Sequence, residues 1–214
     1  LKNEDCRGCM NCIKRCPTEA IRVRNGKASI ISERCIDCGE CIRVCPHHAK
    51  YAERDPMSVM SNFKYTVALP APSLYGQFNN LEDIDYVLTA FKMIGFDDVF
   101  EVSKGAELIS EATRLLIKQG ELKRPVISSA CPAVCRLIRV RFPNLISHVL
   151  QLNSPMEEAA RLAREKAVND TGLAPEDIGI FFISPCPAKI TAIKQPIGTQ
   201  TSGLDGAFAI KDLY

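Results

Sequence analysis

The chain has 214 residues, 46% of them hydrophobic, and 27 Lys and Arg against 25 Asp and Glu, a formal balance of +2. That length suits one large or two small domains with a real apolar core, and the near-zero charge argues against a nucleic-acid partner. No apolar run approaches the roughly 18 residues of a membrane span, and no signal peptide is read at the start.

Eleven cysteines could suggest a secreted disulfide scaffold, but the chain is long and the count is odd, which favours a reducing cytoplasm. The chain opens at Leu1, so a preceding segment is expected. Eight of the cysteines fall in two runs, CRGCMNCIKRCP from Cys6 to Pro17 and CIDCGECIRVCP from Cys35 to Pro46. Both have the spacing C-x2-C-x2-C-x3-C-P, the pattern of bacterial cubane clusters in which the fourth Cys serves the other cluster. Three closely spaced thiolates wrap one cubane, while the fourth, expected at the start of a helical turn, points elsewhere. The expected ligand sets are therefore Cys6, Cys9, Cys12 and Cys45 for one 4Fe-4S cluster, and Cys35, Cys38, Cys41 and Cys16 for the other. Zinc also takes four thiolates, but its knuckles pair two C-x2-C units and need no third ligand in the same run. Eight thiolates around two cubanes add about four negative charges, so the working surface is mildly acidic at most.

Residues 1–54 read as an internal repeat of about 29 residues, the self-similarity of a duplicated unit. Between the runs, Ala20 to Ile31 reads as two short strands about Asn25-Gly26. The expected fold here is an α+β ferredoxin-like module with two clusters. His47 and His48 follow the second run and, with eight thiolates available, read as exposed turn residues. Residues 55–64 read as a linker, and residues 65–214 as an α/β domain with a largely parallel sheet. Its expected strands are Tyr65 to Leu69, Val99 to Val102, a buried Val126 to Ser129, Ile178 to Ile183 and Ala207 to Ile210. The expected helices are Leu81 to Ile94 closed by Gly95, Glu107 to Gln119 closed by Gly120, Ala133 to about Arg141, and one capped by Ser154-Pro155.

Three cysteines remain. Cys131 and Cys186 each stand beside Pro at the expected end of a buried strand, where open α/β sheets place their ligand crevice. The paired context favours ligation, although spacing alone leaves a plain core role equally open. Cys135, four residues on along a helix, reads as a core residue.

SSACPAV at Ser128 to Val134 and SPCPAK at Ser184 to Lys189 resemble the first two signature motifs of the FeFe hydrogenase large subunit. APS at Ala71 to Ser73, GFDDVFE at Gly95 to Glu101 and Ser154-Pro155 are similar to further landmarks of that family. The resemblance implies a two-cluster ferredoxin module feeding an H-cluster, in which a 4Fe-4S cubane is joined through one thiolate to a diiron unit carrying carbonyl and cyanide. It makes Cys131 and Cys186 two of four cubane ligands, with Lys189, Ser73 and the backbone near Pro72 against the cyanides. The family's third motif, with the other two ligands, is not in this sequence, so the chain alone is expected to be inactive and to hold only half the cage.

Departures from the family pattern bear on activity. Ala130 stands where efficient members have a relay Cys, Ala192 where a Glu is expected, and Ser184 where active enzymes have Met. Arg114 falls near another relay position and leaves Glu111 as the remaining candidate. Because acid–base transfer needs a group in hydrogen-bond reach, this pattern resembles the sensory branch of the family, with hydrogen as the ligand of the whole protein and a redox protein as electron partner. The competing readings are a non-catalytic electron-transfer or binding module and a hydrogenase-like iron–sulfur assembly factor. Radical S-adenosylmethionine chemistry is disfavoured because C-x3-C-x2-C does not occur.

Overall fold

In the computed structural model, which describes residues 1–198 and 201–213, the repeat of the sequence is also a repeat of the backbone. Helix α1 (Asn11–Arg15) and helix α2 (Glu40–Arg43) follow the two cysteine loops and pack on each other. Gly8, Met10 and Glu19 in the first half and Asp37, Gly39 and His48 in the second all have positive φ. Non-glycine residues enter that region at a cost of about 1–2 kcal/mol each. Between the halves, strand β1 (Ile21–Arg24) pairs antiparallel with β2 (Lys27–Ile30), Ile21 opposite Ile30. The turn residues Asn25 and Gly26 have φ of 50° and 71°, as a two-residue hairpin requires.

The fourth cysteine of each run stands at a helix end, not at its start. Cys12 and Cys41 are already the second residues of α1 and α2, so four residues later the short helix is over: Cys16 caps α1, and Cys45 follows Val44, the cap of α2.

The remainder is built on four parallel strands in the order β4-β3-β5-β6: β3 (Tyr65–Pro70), β4 (Asp98–Val99), β5 (Ile178–Ile183) and β6 (Gly206–Phe208). All six residues of β5 are buried, the unbroken apolar run of a strand covered on both faces. On one face Val67, Leu69, Ile178, Ile180 and Phe182 meet Met156, Ala159, Ala160, Ala163 and Ala167 of helix α6 (Pro155–Thr171). The alanines let α6 lie close to the sheet. Gly105 of helix α4 (Val102–Gln119) does the same between helices, since a Cβ there would come within 2.5 Å of the Pro155 carbonyl oxygen. On the other face Ala68, Phe181, Ile183 and Phe208 meet Val87 and Phe91 of helix α3 (Asp85–Ile94) and Phe96. Phe181 and Phe208 stack at 5.0 Å. Helices α5 (Pro132–Arg141) and α7 (Pro187–Lys194) complete the domain.

Several sequence expectations are corrected. The segment Val126 to Ser129 is not a sheet strand; Ile127 forms an isolated parallel bridge with Val149, donating to His148 O at 2.9 Å and accepting from Leu150 N at 2.8 Å. Pro125 brings no N–H to a ladder and Ser128 is exposed, so this segment has neither the donors nor the apolar faces of β5. Val99 to Val102 pairs only through Val99, because Phe100 N makes the last bond to Ala68 O at 2.9 Å and Val102 already opens α4. Helix α3 starts at Asp85, whose N–H is taken by the Asp83 carboxylate at 3.0 Å. Within residues 55–64, Met57–Asn62 is a 3-10 helix with Met57, Val59 and Met60 against the second core, and Asp55 bonds Ala207 at N–H and O both.

Candidate metal centres

The cysteine loops owe their shape to left-handed residues. Gly8 and Met10, then Asp37 and Gly39, have positive φ while the residues between them do not, and backbone that alternates in this way is the kind that forms anion-binding concavities. One cavity is lined by Cys6, Cys9, Cys12 and Cys45, a second by Cys16, Cys35, Cys38 and Cys41. Cys45 thus stands on the wall of the first-run cavity and Cys16 on that of the second. The sulfurs receive backbone donors: Ala28 N to Cys6 at 3.4 Å, Ala20 N to Cys16 at 3.2 Å, and Asp37 N to Cys35 at 3.4 Å. Bonds from Ala28 and Gly8 hold the Cys6 thiol below its ordinary value, whereas burial pushes Cys12 and Cys41 up and Cys35 up to about 11. A buried thiol of this kind keeps its proton until a metal cation takes the proton's place.

The residues fit a cubane. Each cavity has four cysteines on its wall, the number and kind of ligands that a cubane takes. His47 and His48 are exposed, and His47 touches the wall of the first cavity.

The second cavity has a wall that the first lacks. Arg136 of α5 and Pro187, Thr191 and Gln195 at α7 close it. A Cβ on Gly39 would lie 2.9 Å from Pro187 Cγ, so the loop carrying Cys38 and Cys41 rests on the first turn of α7. Arg136 pairs with Asp37 of that loop at 3.3 Å and donates to Gln195 O at 3.1 Å. No sequence signal marked Arg136, Gly39 or Pro187 as a junction, because each acquires its role from a partner far along the chain.

Cys131 and Cys186 are N-caps of α5 and α7 with similar backbone angles, φ −105° and −97°, each followed by Pro at the first helical position. Their sulfurs stand at helix N-termini, where anionic groups are favoured. Only Cys186 is delivered by a sheet strand. Both thiols lie in electrostatic reach of Lys189, whose ammonium burial drives below its ordinary value while Cys186, Cys131 and Glu157 oppose that. Lys189 Nζ also lies 5.6 Å from the Phe182 ring centre. Ser184, fully buried, accepts a bond from Cys186 N at 3.1 Å. Pro72 and Ser73 are exposed in a 3-10 helix that leaves β3 beside the end of β5, where Ala71 N bonds Ile183 O at 2.9 Å. The structure therefore gathers Cys131, Cys186 and Lys189, with Pro72 and Ser73 at the neighbouring strand end. Ala130 is half-buried, its N–H on Ser128 Oγ at 3.3 Å, and Ala192 is buried on α7. Glu111 is exposed on α4 and pairs with Arg114, outside that group. Cys135, expected in the core, is half-buried with its thiol on Ser129 O at 3.7 Å.

Two cysteine-walled cavities joined to a parallel α/β domain define an iron–sulfur redox protein. Residues 64–207 match the family described as iron only hydrogenase large subunit, C-terminal domain, and residues 1–46 match the 4Fe-4S dicluster domain. The chain belongs to the iron-only, or FeFe, hydrogenase large subunit family. It is 26% identical over 136 residues to iron hydrogenase 1 of Clostridium pasteurianum, covering 59% of this chain and 24% of that protein. It is 25% identical over 109 residues to the NADP-reducing hydrogenase subunit HndD of Solidesulfovibrio fructosivorans, covering 47% and 19%. An apo variant of the FeFe hydrogenase HydA1 of Chlamydomonas reinhardtii superposes with a TM-score of 0.60 at 20% identity, over 73% of this chain and 45% of that one. The chain thus spans about a quarter of the curated relative from Clostridium and under half of the structural neighbour. No helix among the described residues is long and apolar enough to cross a membrane.

Proposed function

We propose that residues 1–54 hold two 4Fe-4S clusters with the ligand sets Cys6, Cys9, Cys12, Cys45 and Cys16, Cys35, Cys38, Cys41. In this reading residues 65–214 supply Cys131 and Cys186 as half the cage of an H-cluster cubane, with Lys189 and Ser73 as partners for its cyanides. When bound, each cubane supplies a one-electron carrier. The chain's own residues set the direction: Cys9 and Cys38 are both exposed, but only the Cys38–Cys41 loop is seated on α7, whose cap is Cys186, which leaves the first cavity for an external redox protein. That seat of the second cavity against the helix capped by Cys186 carries the reading. Iron and acid-labile sulfide in anaerobically purified protein should each come to about eight per chain; about four, or stoichiometric zinc, refutes it.

A sensory role for the whole protein, with slow turnover of hydrogen, is favoured by three placements. Ala130 and Ala192 bring no titratable group near Cys131 and Cys186, and Glu111 is exposed and neutralised by Arg114. A positioned acid–base group contributes about 10²- to 10⁴-fold. In the whole protein, Ala130→Cys with Ala192→Glu should raise turnover by more than the product of the single gains, because relay members act together. Unchanged turnover in all three variants, with clusters intact, contradicts a missing relay as the cause.

A further inference from the structure

Lys50 is buried, with only 6% of its surface exposed, and its Nζ has no hydrogen-bond partner. It lines both cysteine cavities. Its charge reaches Cys6 and Cys12 on one side and Cys41 on the other. A buried ammonium with no counter-charge costs several kcal/mol, a cost removed when an anion stands beside it. The neighbouring Lys27 has a different arrangement: its Nζ donates to the carbonyls of Asn3 and Cys6 at 2.7 and 2.8 Å. Lys50 has no such acceptor, and cysteine walls stand on both of its sides.

We propose that Lys50 is a shared cationic positioning residue between the two clusters, its ammonium facing the thiolate-ligated anion in each cavity and favouring the reduced state of both. Each cluster takes up one electron from an added reductant such as dithionite, and that uptake adds one negative charge to a group beside a fixed positive one. No bond is made or broken. The charge of Lys50 therefore raises both reduction potentials together and keeps the outer and inner carriers close in potential, as a two-step relay requires. The inference rests on the reading that both cavities hold a 4Fe-4S cluster.

The test is a redox titration with dithionite, followed by electron paramagnetic resonance, on the cluster-loaded wild type, Lys50→Met and Lys50→Arg. Iron is measured first: about four per wild-type chain refutes the two-cluster reading itself, whereas about eight leaves the role of Lys50 to be decided by the titration. Lys50→Met should make reduction of both clusters about tenfold less favourable at a fixed potential, equivalent to 59 mV for a one-electron couple. Lys50→Arg, which keeps the charge, should stay near the wild type. Two unchanged potentials in Lys50→Met at full iron content overturn the proposal, and a shift confined to one cluster overturns the shared role. If Lys50→Met does not load its clusters, wild-type protein labelled with 15N-lysine decides by pulsed resonance. Lys50 is the sole lysine among the residues lining the second cavity, so a 15N coupling in that cluster's reduced signal supports the placement and its absence overturns it.

Discussion

The two cysteine cavities come from the same motif, a short helix in each half and left-handed residues at corresponding loop positions, yet they differ in what closes them. The first closes on its own module: a Cβ on Gly8 would lie 2.7 Å from the carbonyl oxygen of Gly26, in the hairpin turn. The second closes on the hydrogenase domain, with Gly39 against Pro187 and Asp37 against Arg136. Duplication made two equal sites, and packing made one of them an outer site and the other an inner one. Lys50, in the second half of the repeat where the first has Ile21, stands on the wall of both.

Removal of a ligand should break the comparison most. Cys12→Ala is expected to lose about four irons and leave the second cluster's signal, and Cys41→Ala to do the converse. Iron analysis with resonance spectra checks this, and equal loss of both signals in either variant would show that the sites are not separable.

The next largest effect is expected at the glycines. Gly8→Ala and Gly39→Ala both force a side chain into the left-handed region, at about 1–2 kcal/mol, and both bring a Cβ to within 3 Å of a neighbour. Their consequences should differ in place. Gly39→Ala should speed amide exchange in Pro187–Lys194, while Gly8→Ala should speed it in the Ile21–Ile30 hairpin. Exchange rising in α7 for both variants would contradict the inner and outer assignment.

The smallest change is expected from Arg136→Met. Loss of the charged hydrogen bond to Gln195 O costs about 1.5–3 kcal/mol and the ion pair with Asp37 goes with it, but Arg136 Nε is buried without a partner and its removal returns part of that. A net loss of about 1 kcal/mol by denaturant unfolding is expected, with both clusters retained. The exposed pair Glu40–Arg43 on α2 is the control, since surface ion pairs of this type contribute little. A loss of the second cluster in Arg136→Met would mean that the domain contact, not the loop, holds the site.

Local chemistry was legible in the sequence. The spacing of eight cysteines, the Asn25-Gly26 turn, the Ser154 cap and the glycine stops at Gly95 and Gly120 each depend on residues a few positions apart, so the string of letters contains the whole interaction. The six apolar residues of β5 declare a strand buried on both faces without reference to a partner. Where the reading failed, a neighbour was needed. Val126 to Ser129 looks like a strand by composition, but a strand exists only when another offers its ladder, and here Val149 offers a single bridge. The composition of Val99 to Val102 reads as a strand, but pairing with β3 ends where Ala68 O accepts from Phe100 N, and Val102 opens α4.

Function divides along the same line. Cys131, Cys186 and Lys189 were named from motifs, and the fold brings them together, one thiol at the end of β5 and the other on a loop outside the sheet. Lys50 and Arg136 carry no mark in the sequence, and Pro187 is marked only as part of a motif, not as the seat of the Gly39 loop: a lysine and an arginine are ordinary until burial removes their solvent. Which cavity faces inward and which ammonium lacks an acceptor were decided only by tertiary packing, because electrostatic and steric contacts depend on distance through space and not on separation along the chain.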